Sequence, residues 1–329
     1  MERITLLDTS VGSTNLGDEI IMRCFKEEMA DILKNSFILS VPTHLRSFSC
    51  AQAIGKLPDT ASEVRRSNYK FACGTNLLMS NFFHRSNQWD LSLLSCRPLS
   101  GTVLVGVGGK IKLPKGLAGW YTKKVYARVL SKDYMHSVRT DRAKEALEKL
   151  GGYRAVNTGC VTLWKLTPDF CKGIHRDKAD TAIVTLTDYN RNAELDRALL
   201  HIVGKNYKKV FFWPQGIYDR DYMLQLGSDA ELTILPPSVD AYERVLNAYD
   251  KLDYVGTRLH GGIFAMRHKA RCVILTLDER MADMQMQIPN NCMSRARIPI
   301  DLEQKINSVF STEVRINFEA MHKWKAQFV

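Results

Sequence analysis

Long apolar segments are absent from this 329-residue sequence. No run reaches the roughly 18 residues that a membrane-spanning helix needs. The first residues, Met1 to Ile4, start a strand-like pattern and lack the charged-then-apolar design of a secretory signal peptide. The eight cysteines are scattered, without CxxC pairs or metal-ligand spacing, which is typical of reduced core thiols. We therefore expect a cytoplasmic protein without a bound metal.

Common nucleotide- and nucleic-acid-binding motifs are also missing. The stretch "DTSVGSTNLGDEII" is a glycine-containing turn, but Asp18 and Glu19 follow Gly17 where a Walker motif has Lys and Ser or Thr. It does not match GxGxxG either. No DNA- or RNA-binding module can be identified, so the sequence predicts no nucleic-acid partner.

Acidic residues are missing from one long stretch, residues 106–132. The chain has a net charge of +11, which favours an anionic partner. Aromatic residues are interleaved with the basic ones of this stretch, so it is either an ordinary solvated face or a docking surface for a phosphate-rich or membrane-bound acceptor. Its seven basic residues are Lys110, Lys112, Lys115, Lys123, Lys124, Arg128 and Lys132.

Short runs rich in Val, Ile and Leu alternate with helical patterns along the chain. This alternation indicates an α/β protein with parallel sheets covered on both faces. Two such sets predict two Rossmann-like domains facing a cleft, one over residues 1–168 and one over 169–310. A last helix within 311–329 is expected to pack back on the first domain. In such sheets, ligands bind beyond the carboxyl ends of the strands.

The stretch "YVGTRLHGGIFAMRH" predicts a functional turn between a strand and a helix. Arg258 offers a planar cation for a carboxylate or phosphate, and His260 can transfer a proton near neutral pH. Gly261 and Gly262 permit a tight turn at a helix N-terminus, which attracts anions. The alternative is a capping turn with a surface arginine and a packed histidine.

Two further strand-to-helix turns carry candidate residues. Arg139 follows the strand in "HSVRTDRAKEALEKLGG", where it is either a second anion-binding cation or a solvated residue at a helix start. In "NLGDEII", Asn15 and Asp18 are candidates for binding hydroxyl groups, with Asp18 as a general base. Alternatively, the acidic residues there only complement the helix dipole.

The chain resembles the polysaccharide pyruvyl transferase family. The resemblance rests on "NLGDEII", "GTNLL", "SVRTDRAKEALEKLG", "NTGCVTLWKLTP", "FWPQG" and "GTRLHGGIFAM", which occur in the family's order between about residues 12 and 280. It implies a fold like that of GT-B glycosyltransferases. It also implies transfer of a pyruvyl group from phosphoenolpyruvate to two hydroxyls of a sugar, which forms a pyruvate ketal. The acceptor would be a cell-surface or exopolysaccharide glycan or its lipid-linked precursor.

The resemblance also implies roles for individual residues. Arg139, Arg258 and His260 would bind the donor, together with Gly261 and Gly262, and Arg280 stands near the place where the family often has a lysine. Asn15, Gly17 and Asp18 would lie on the acceptor side. His260 is the expected general acid and Asp18 the expected base. Phosphoenolpyruvate would be a co-substrate, with no separate cofactor.

Two other functions fit the same residues. A GT-B-like glycosyltransferase could use the arginines to hold the diphosphate of a nucleotide sugar. A non-catalytic protein could instead bind nucleic acid or anionic surfaces through residues 106–132. The enzyme is expected in the cytoplasm, either free or bound peripherally to the inner face of the membrane.

Overall fold

The computed structural model describes residues 1–55, 60–83, 88–227, 231–277 and 282–328, and divides into two compact units. Unit 1 comprises Met1–Ser13, Ile21–Trp164 and Asn317–Val329. Unit 2 comprises Thr14–Ile20 and Lys165–Ile316. The main division therefore lies close to the boundary predicted after residue 168, but a short N-terminal segment is grouped with unit 2.

Unit 1 contains a four-stranded parallel sheet in the order β2-β1-β3-β4 and a parallel pair, β5-β6. Val138 at the end of β5 bridges Val107, just after β4. Buried residues predominate in β1, β3 and β4, as expected for a parallel sheet covered on both faces, whereas in the edge strand β2 only Val41 is buried. The strands are β1 (Glu2–Asp8), β2 (Ser36–Pro42), β3 (Tyr69–Cys73), β4 (Thr102–Val105), β5 (His136–Val138) and β6 (Ala155–Asn157).

The helices up to residue 151 alternate with these strands. In the last of them, Thr140 caps the N-terminus by accepting a hydrogen bond from the Ala143 N–H, and Gly152 ends the helix with a φ of 68°. The bounds are α1 (Leu16–Glu28), α2 (Ala30–Leu33), α3 (Cys50–Ile54), α4 (Thr60–Arg65), α5 (Leu117–Val129) and α6 (Asp141–Gly151).

Unit 2 contains a six-stranded parallel sheet in the order β12-β11-β10-β7-β8-β9. Its central strands β10, β7 and β8 are neighbours, so the turns that follow them lie at one edge of the sheet. The strands are β7 (Thr181–Thr185), β8 (Lys209–Phe212), β9 (Leu232–Ile234), β10 (Asp253–Gly256), β11 (Arg271–Thr276) and β12 (Cys292–Ser294).

Helices separate the strands of this second sheet as well. They are α7 (Pro168–Lys172), α8 (Ala193–Asn206), α9 (Asp219–Leu226), α10 (Val239–Asn247), α11 (Leu259–Arg267), α12 (Ala282–Gln287) and α13 (Ile298–Asn307). The last helix, α14 (Phe318–Lys325), is grouped with unit 1. The predicted α/β class with parallel sheets is confirmed.

Seven of the eight cysteines are buried, and all eight, which lie in the described part of the chain, carry free thiols. Within the described ranges, no helix is both long enough and apolar enough to cross a membrane.

Candidate functional site

The predicted turn between strand and helix occurs where β10 gives way to α11. Arg258 is the residue before the first helical residue, with extended backbone angles (φ −93°, ψ 100°). His260 lies in the first turn of α11 and is partly buried. The strand–turn–helix geometry predicted for this stretch is confirmed.

The guanidinium of Arg258 lies between two carboxylates. Its Nε donates to Oδ2 of Asp219 at 2.9 Å, and its Nη2 donates both to Oδ1 of Asp219 and, at 2.8 Å, to Oδ1 of Asp188. Arg258 is only 3% exposed and Asp219 is fully buried. The geometry is that of a bidentate arginine–carboxylate pair with a second carboxylate on one nitrogen.

This pair connects three turns at the edge of the sheet. Asp188 follows β7, Asp219 begins α9 after β8, and Arg258 follows β10. Oδ2 of Asp219 also accepts the N–H groups of Gln215 at 3.1 Å and Gly216 at 2.6 Å. The network fixes the turns relative to one another.

The electrostatics of Arg258 differ from those of an exposed anion-binding cation. Burial disfavours its charge, but the ion pairs with Asp219 and Asp188 outweigh burial and raise the pKa of Arg258 above its usual value. The arginine therefore stays charged, with its charge balanced by carboxylates of the protein. Its predicted contact with a donor molecule stays a prediction, while its contacts within the fold are explicit.

The N-terminal segment 14–20 is fastened to the turn after β8 by main-chain hydrogen bonds. The N–H of Leu16 donates to the carbonyl of Gln215 at 2.9 Å, and the N–H of Ile217 donates to the carbonyl of Thr14 at 3.0 Å. The side chain of Gln215, itself buried, donates from Nε2 to Oδ1 of Asn15 at 2.8 Å. These bonds explain why the segment is grouped with unit 2.

Gly17 allows this segment to pass close to His260. A Cβ atom at Gly17 would lie 3.2 Å from Nδ1 of His260 and 2.8 Å from Nε2 of Gln215. The following residue, Asp18, is 6% exposed, and its N–H donates to the carbonyl of Asn15 at 3.1 Å. Asn15, Gly17 and Asp18, predicted to belong to the N-terminal domain, thus lie in the same unit as His260.

The two glycines after His260 lie inside α11 and are buried. A Cβ at Gly261 would lie 2.8 Å from Oε1 of Gln215, and one at Gly262 would lie 2.6 Å from the side chain of Ile274. They were predicted to form the tight turn and to bind the donor. In the structure they let α11 pack closely against Gln215 and the sheet.

Arg139 occupies a comparable turn in unit 1, directly after β5. Its Nη2 donates to Oδ1 of Asn76 at 2.6 Å, and its side chain is partly exposed. A Cβ at Gly108 would lie 2.2 Å from Nε of Arg139. The glycine after β4 and the asparagine after β3 therefore define the path of the Arg139 side chain.

Arg280 lies outside the described residues. Among the residues that are described, no group of three or more His, Cys, Asp or Glu side chains could hold a metal ion.

Sequence reasoning missed Asp188, Asp219 and Asn76 and gave Gln215 no role of its own. A usable signal was present, because each of these residues follows the carboxyl end of a strand, where ligands bind in such sheets. Their mutual contacts could not have been found, since Asp219 and Arg258 are 39 positions apart and Asn15 and Gln215 are 200 apart.

A comparison with known protein families confirms the resemblance. The sequence model of the family described as "Polysaccharide pyruvyl transferase" matches residues 15–279. No curated protein matches the chain.

Two solved structures are similar to the chain at low identity. One is UDP-GlcNAc 2-epimerase from Neisseria meningitidis bound to UDP-GlcNAc, with a TM-score of 0.39 and 11% identity over 99% of this chain and 98% of that chain. The other is the E. coli heptosyltransferase WaaC with ADP-2-deoxy-2-fluoro heptose, with a TM-score of 0.38 and 10% identity over 83% and 88%. Because the family match covers most of the sequence, the chain belongs to the polysaccharide pyruvyl transferase family.

Proposed function

We propose that the protein transfers the pyruvyl group of phosphoenolpyruvate to two hydroxyls of one sugar, forming a pyruvate ketal. The acceptor is a sugar of a cell-surface or exopolysaccharide glycan, or of its lipid-linked precursor. One structural observation carries the proposal beyond the family match. The segment with Asn15, Gly17 and Asp18 passes beside the His260 ring, since a Cβ atom added at Gly17 would lie only 3.2 Å from Nδ1 of His260.

The reaction requires proton transfers but no oxidation or reduction. The first sugar hydroxyl adds to C2 of phosphoenolpyruvate and loses its proton, while the C3 methylene gains a proton and becomes a methyl group. The C2–O bond to phosphate then breaks, and the second hydroxyl bonds to C2 and releases its proton. The products are the ketal and inorganic phosphate. Both hydroxyls belong to one sugar, so the second addition is intramolecular.

We assign the two kinds of proton transfer to His260 and Asp18. An imidazole can both donate and accept a proton, which suits protonation of C3 or of the leaving phosphate. Asp18 is the proposed base for the incoming hydroxyl. In support, Asp18 directly follows Gly17, the residue whose Cβ position lies beside His260.

Donor binding is assigned to groups that suit a carboxylate and a phosphate. Arg139 is partly exposed and presents a planar guanidinium oriented by Asn76. The N-terminus of α11 adds the positive end of a helix dipole next to His260. Arg258 has a different part in this proposal, because it holds the turns after β7, β8 and β10 in place through its two carboxylates.

The direct test is product formation from phosphoenolpyruvate and a panel of saccharides with neighbouring hydroxyls. Phosphate release and the ketal methyl signal in the NMR spectrum would be followed together. In D₂O the ketal methyl should carry one deuterium, because its third hydrogen comes from a solvent-exchangeable donor.

A matched pair of variants connects this activity to His260. His260→Gln should reduce turnover by about 10²–10⁴-fold, the usual contribution of a general acid or base. His201→Gln is the control, since His201 is an exposed histidine on α8 of the same unit. Equal turnover in the two variants would remove His260 from the chemistry, and phosphate release without a ketal would contradict the transfer itself.

A further inference from the structure

Helix α5 in unit 1 presents an unusual exposed face. Leu117, Trp120, Lys124 and Arg128 follow one another at intervals of three or four residues, so they share one side of the helix. All four are exposed, and Leu117 and Trp120 retain 67% and 53% of their accessible surface. A large apolar residue and a tryptophan thus stand in water beside two cations.

The surroundings of this face add charge of one sign. The seven basic residues between 106 and 132 are all exposed, and the same stretch contains no acidic residue. The Nζ of Lys124 lies 5.9 Å from the centre of the Trp120 ring, so charge and apolar surface are interleaved. We call this set, with Leu117 and Trp120, the α5 basic face.

A third apolar side chain extends the α5 basic face. Phe83 is 54% exposed and packs edge-on against Tyr121 of α5, with ring centroids 5.6 Å apart. Exposed apolar groups ringed by cations are uncommon on surfaces that contact only water. Charge and apolar surface together match a peripheral membrane-binding element, in which apolar side chains enter the headgroup region and cations contact anionic lipids.

We propose that the α5 basic face docks the protein on an anionic lipid bilayer, with Leu117 and Trp120 inserted at the interface. A soluble polyanion or a nucleic acid would also use the lysines. Stacking on bases requires π faces, however, and Leu117, the more exposed apolar residue of α5, has none. The interface of a lipid bilayer, in contrast, can bury both Leu117 and Trp120, and it suits the amphipathic indole ring of Trp120.

This docking is independent of the transfer chemistry. It needs neither phosphoenolpyruvate nor a sugar, so it can succeed or fail whatever the donor is. If the acceptor of the proposed function is lipid-linked, docking holds unit 1 at the surface that carries the acceptor.

Trp120 is a built-in reporter for the test. The other four tryptophans (Trp89, Trp164, Trp213 and Trp324) are each at most 1% exposed. Full-length protein would be mixed with vesicles containing phosphatidylglycerol and bromine-labelled phosphatidylcholine. Quenching of tryptophan fluorescence that disappears in Trp120→Phe is the expected result. Quenching that persists in Trp120→Phe would overturn the proposed insertion.

Charge variants test the electrostatic part against a matched control. The triple variant Lys115→Ala/Lys123→Ala/Lys124→Ala removes three charges from the α5 basic face. It should weaken binding to these vesicles about 100-fold, because each lysine near an anionic surface strengthens binding roughly fivefold. The control, Arg142→Ala/Lys144→Ala/Lys149→Ala, removes three charges from α6. All six side chains lie at or near the surface, so circular dichroism should show both variants folded. Equal weakening by the two variants would contradict docking through α5.

Two lipid compositions and one competitor complete the design. Binding should be strong with phosphatidylglycerol and lost with phosphatidylcholine alone, and Leu117→Ser should weaken it. Equal binding to both lipids, or no binding to either, overturns the proposal. Binding to heparin of comparable strength, without Trp120 quenching by vesicles, would instead assign the face to a soluble polyanion.

Discussion

Gln215 donates a hydrogen bond of 2.8 Å to Oδ1 of Asn15, although the two residues are 200 positions apart in the chain. Gln215 also accepts the N–H of Leu16 through its carbonyl and donates its own N–H to Asp219. A single residue therefore joins the N-terminal segment to the network around Arg258. The candidate site depends on this contact, because it keeps the segment next to His260.

Replacing Gln215 by Glu should disturb that contact with little change in size. The new carboxylate cannot donate to Oδ1 of Asn15, and the loss of a buried hydrogen bond costs about 1–3 kcal/mol. Turnover should fall more than donor affinity, which steady-state kinetics would separate. Gln225→Glu, at an exposed position on α9, is the control, and identical kinetics in the two variants would contradict a positioning role.

Gly17→Ala should be damaging despite the higher helix propensity of alanine. The added methyl would lie 2.8 Å from Nε2 of Gln215 and 3.2 Å from Nδ1 of His260. Crowding of this kind costs about 1–3 kcal/mol, against a propensity gain of about 1 kcal/mol. We expect lower turnover and no gain in thermal stability. A variant with full activity would show that the segment has room to move away from His260.

The two candidate arginines should respond differently to removal. Arg258→Ala leaves Asp219 buried without its cation, which costs about 3–5 kcal/mol of stability. Arg139→Ala removes a partly exposed side chain that donates a hydrogen bond to a neutral amide, so it should lower the free energy of unfolding by only about 1 kcal/mol. Urea denaturation measures both costs. Loss of activity in Arg258→Ala is therefore not a measure of donor binding.

A double-mutant cycle checks the origin of the Arg258 effect. In an Asp219→Asn background the buried carboxylate is gone, so Arg258→Ala should cost clearly less than in the unmodified protein. An equal cost in both backgrounds would mean that Arg258 stabilises the fold by packing and not through its ion pair.

Much of the fold was predictable because it is encoded locally. The pattern of "DRAKEALEKLGG" with its final glycines predicts α6, and the turn at Arg258 falls at the predicted junction of strand and helix. The partners of Arg258 were not predictable. A guanidinium at the end of a strand can bind an anionic ligand or a carboxylate of the protein equally well. Only the folded structure shows that Asp188 and Asp219 form ion pairs with Arg258.

The placement of residues 14–20 was also beyond the sequence. The acidic residues and the glycine at the start of α1 do not indicate which of the two units this segment belongs to. What decides the placement is a set of main-chain hydrogen bonds between Thr14, Leu16, Gln215 and Ile217, and such bonds leave no pattern in the residue types.

Acid should destabilise unit 1 through His136. Its Nδ1 accepts the N–H of Leu104 at 3.1 Å and its Nε2 donates to the carbonyl of Ser131 at 2.9 Å, so the neutral ring satisfies both contacts. Burial lowers the pKa of His136 to about 4, from 6.5. The unfolded chain therefore takes up the proton first as the pH falls.

The sign and size of this effect follow from that shift. The contribution of His136 is fully present above pH 6.5 and is lost between about pH 6.5 and 4, by about 1.4 kcal/mol per pH unit. Urea denaturation over this range measures the slope. His136→Gln should lower the free energy of unfolding at neutral pH and flatten its dependence on pH between 6.5 and 4. His201→Gln should leave this pH dependence unchanged. An unchanged slope in His136→Gln would refute the assignment.

The most direct test of the proposed function is the shift in melting temperature with phosphoenolpyruvate, UDP, GDP and inorganic phosphate, each at millimolar concentration. Ligands that bind the folded protein raise its melting temperature by mass action. The proposed transfer predicts a rise with phosphoenolpyruvate that exceeds the rise with phosphate and is reduced in Arg139→Ala but not in Arg142→Ala. A rise with UDP or GDP and none with phosphoenolpyruvate would contradict it and indicate a glycosyltransferase that uses a nucleotide sugar.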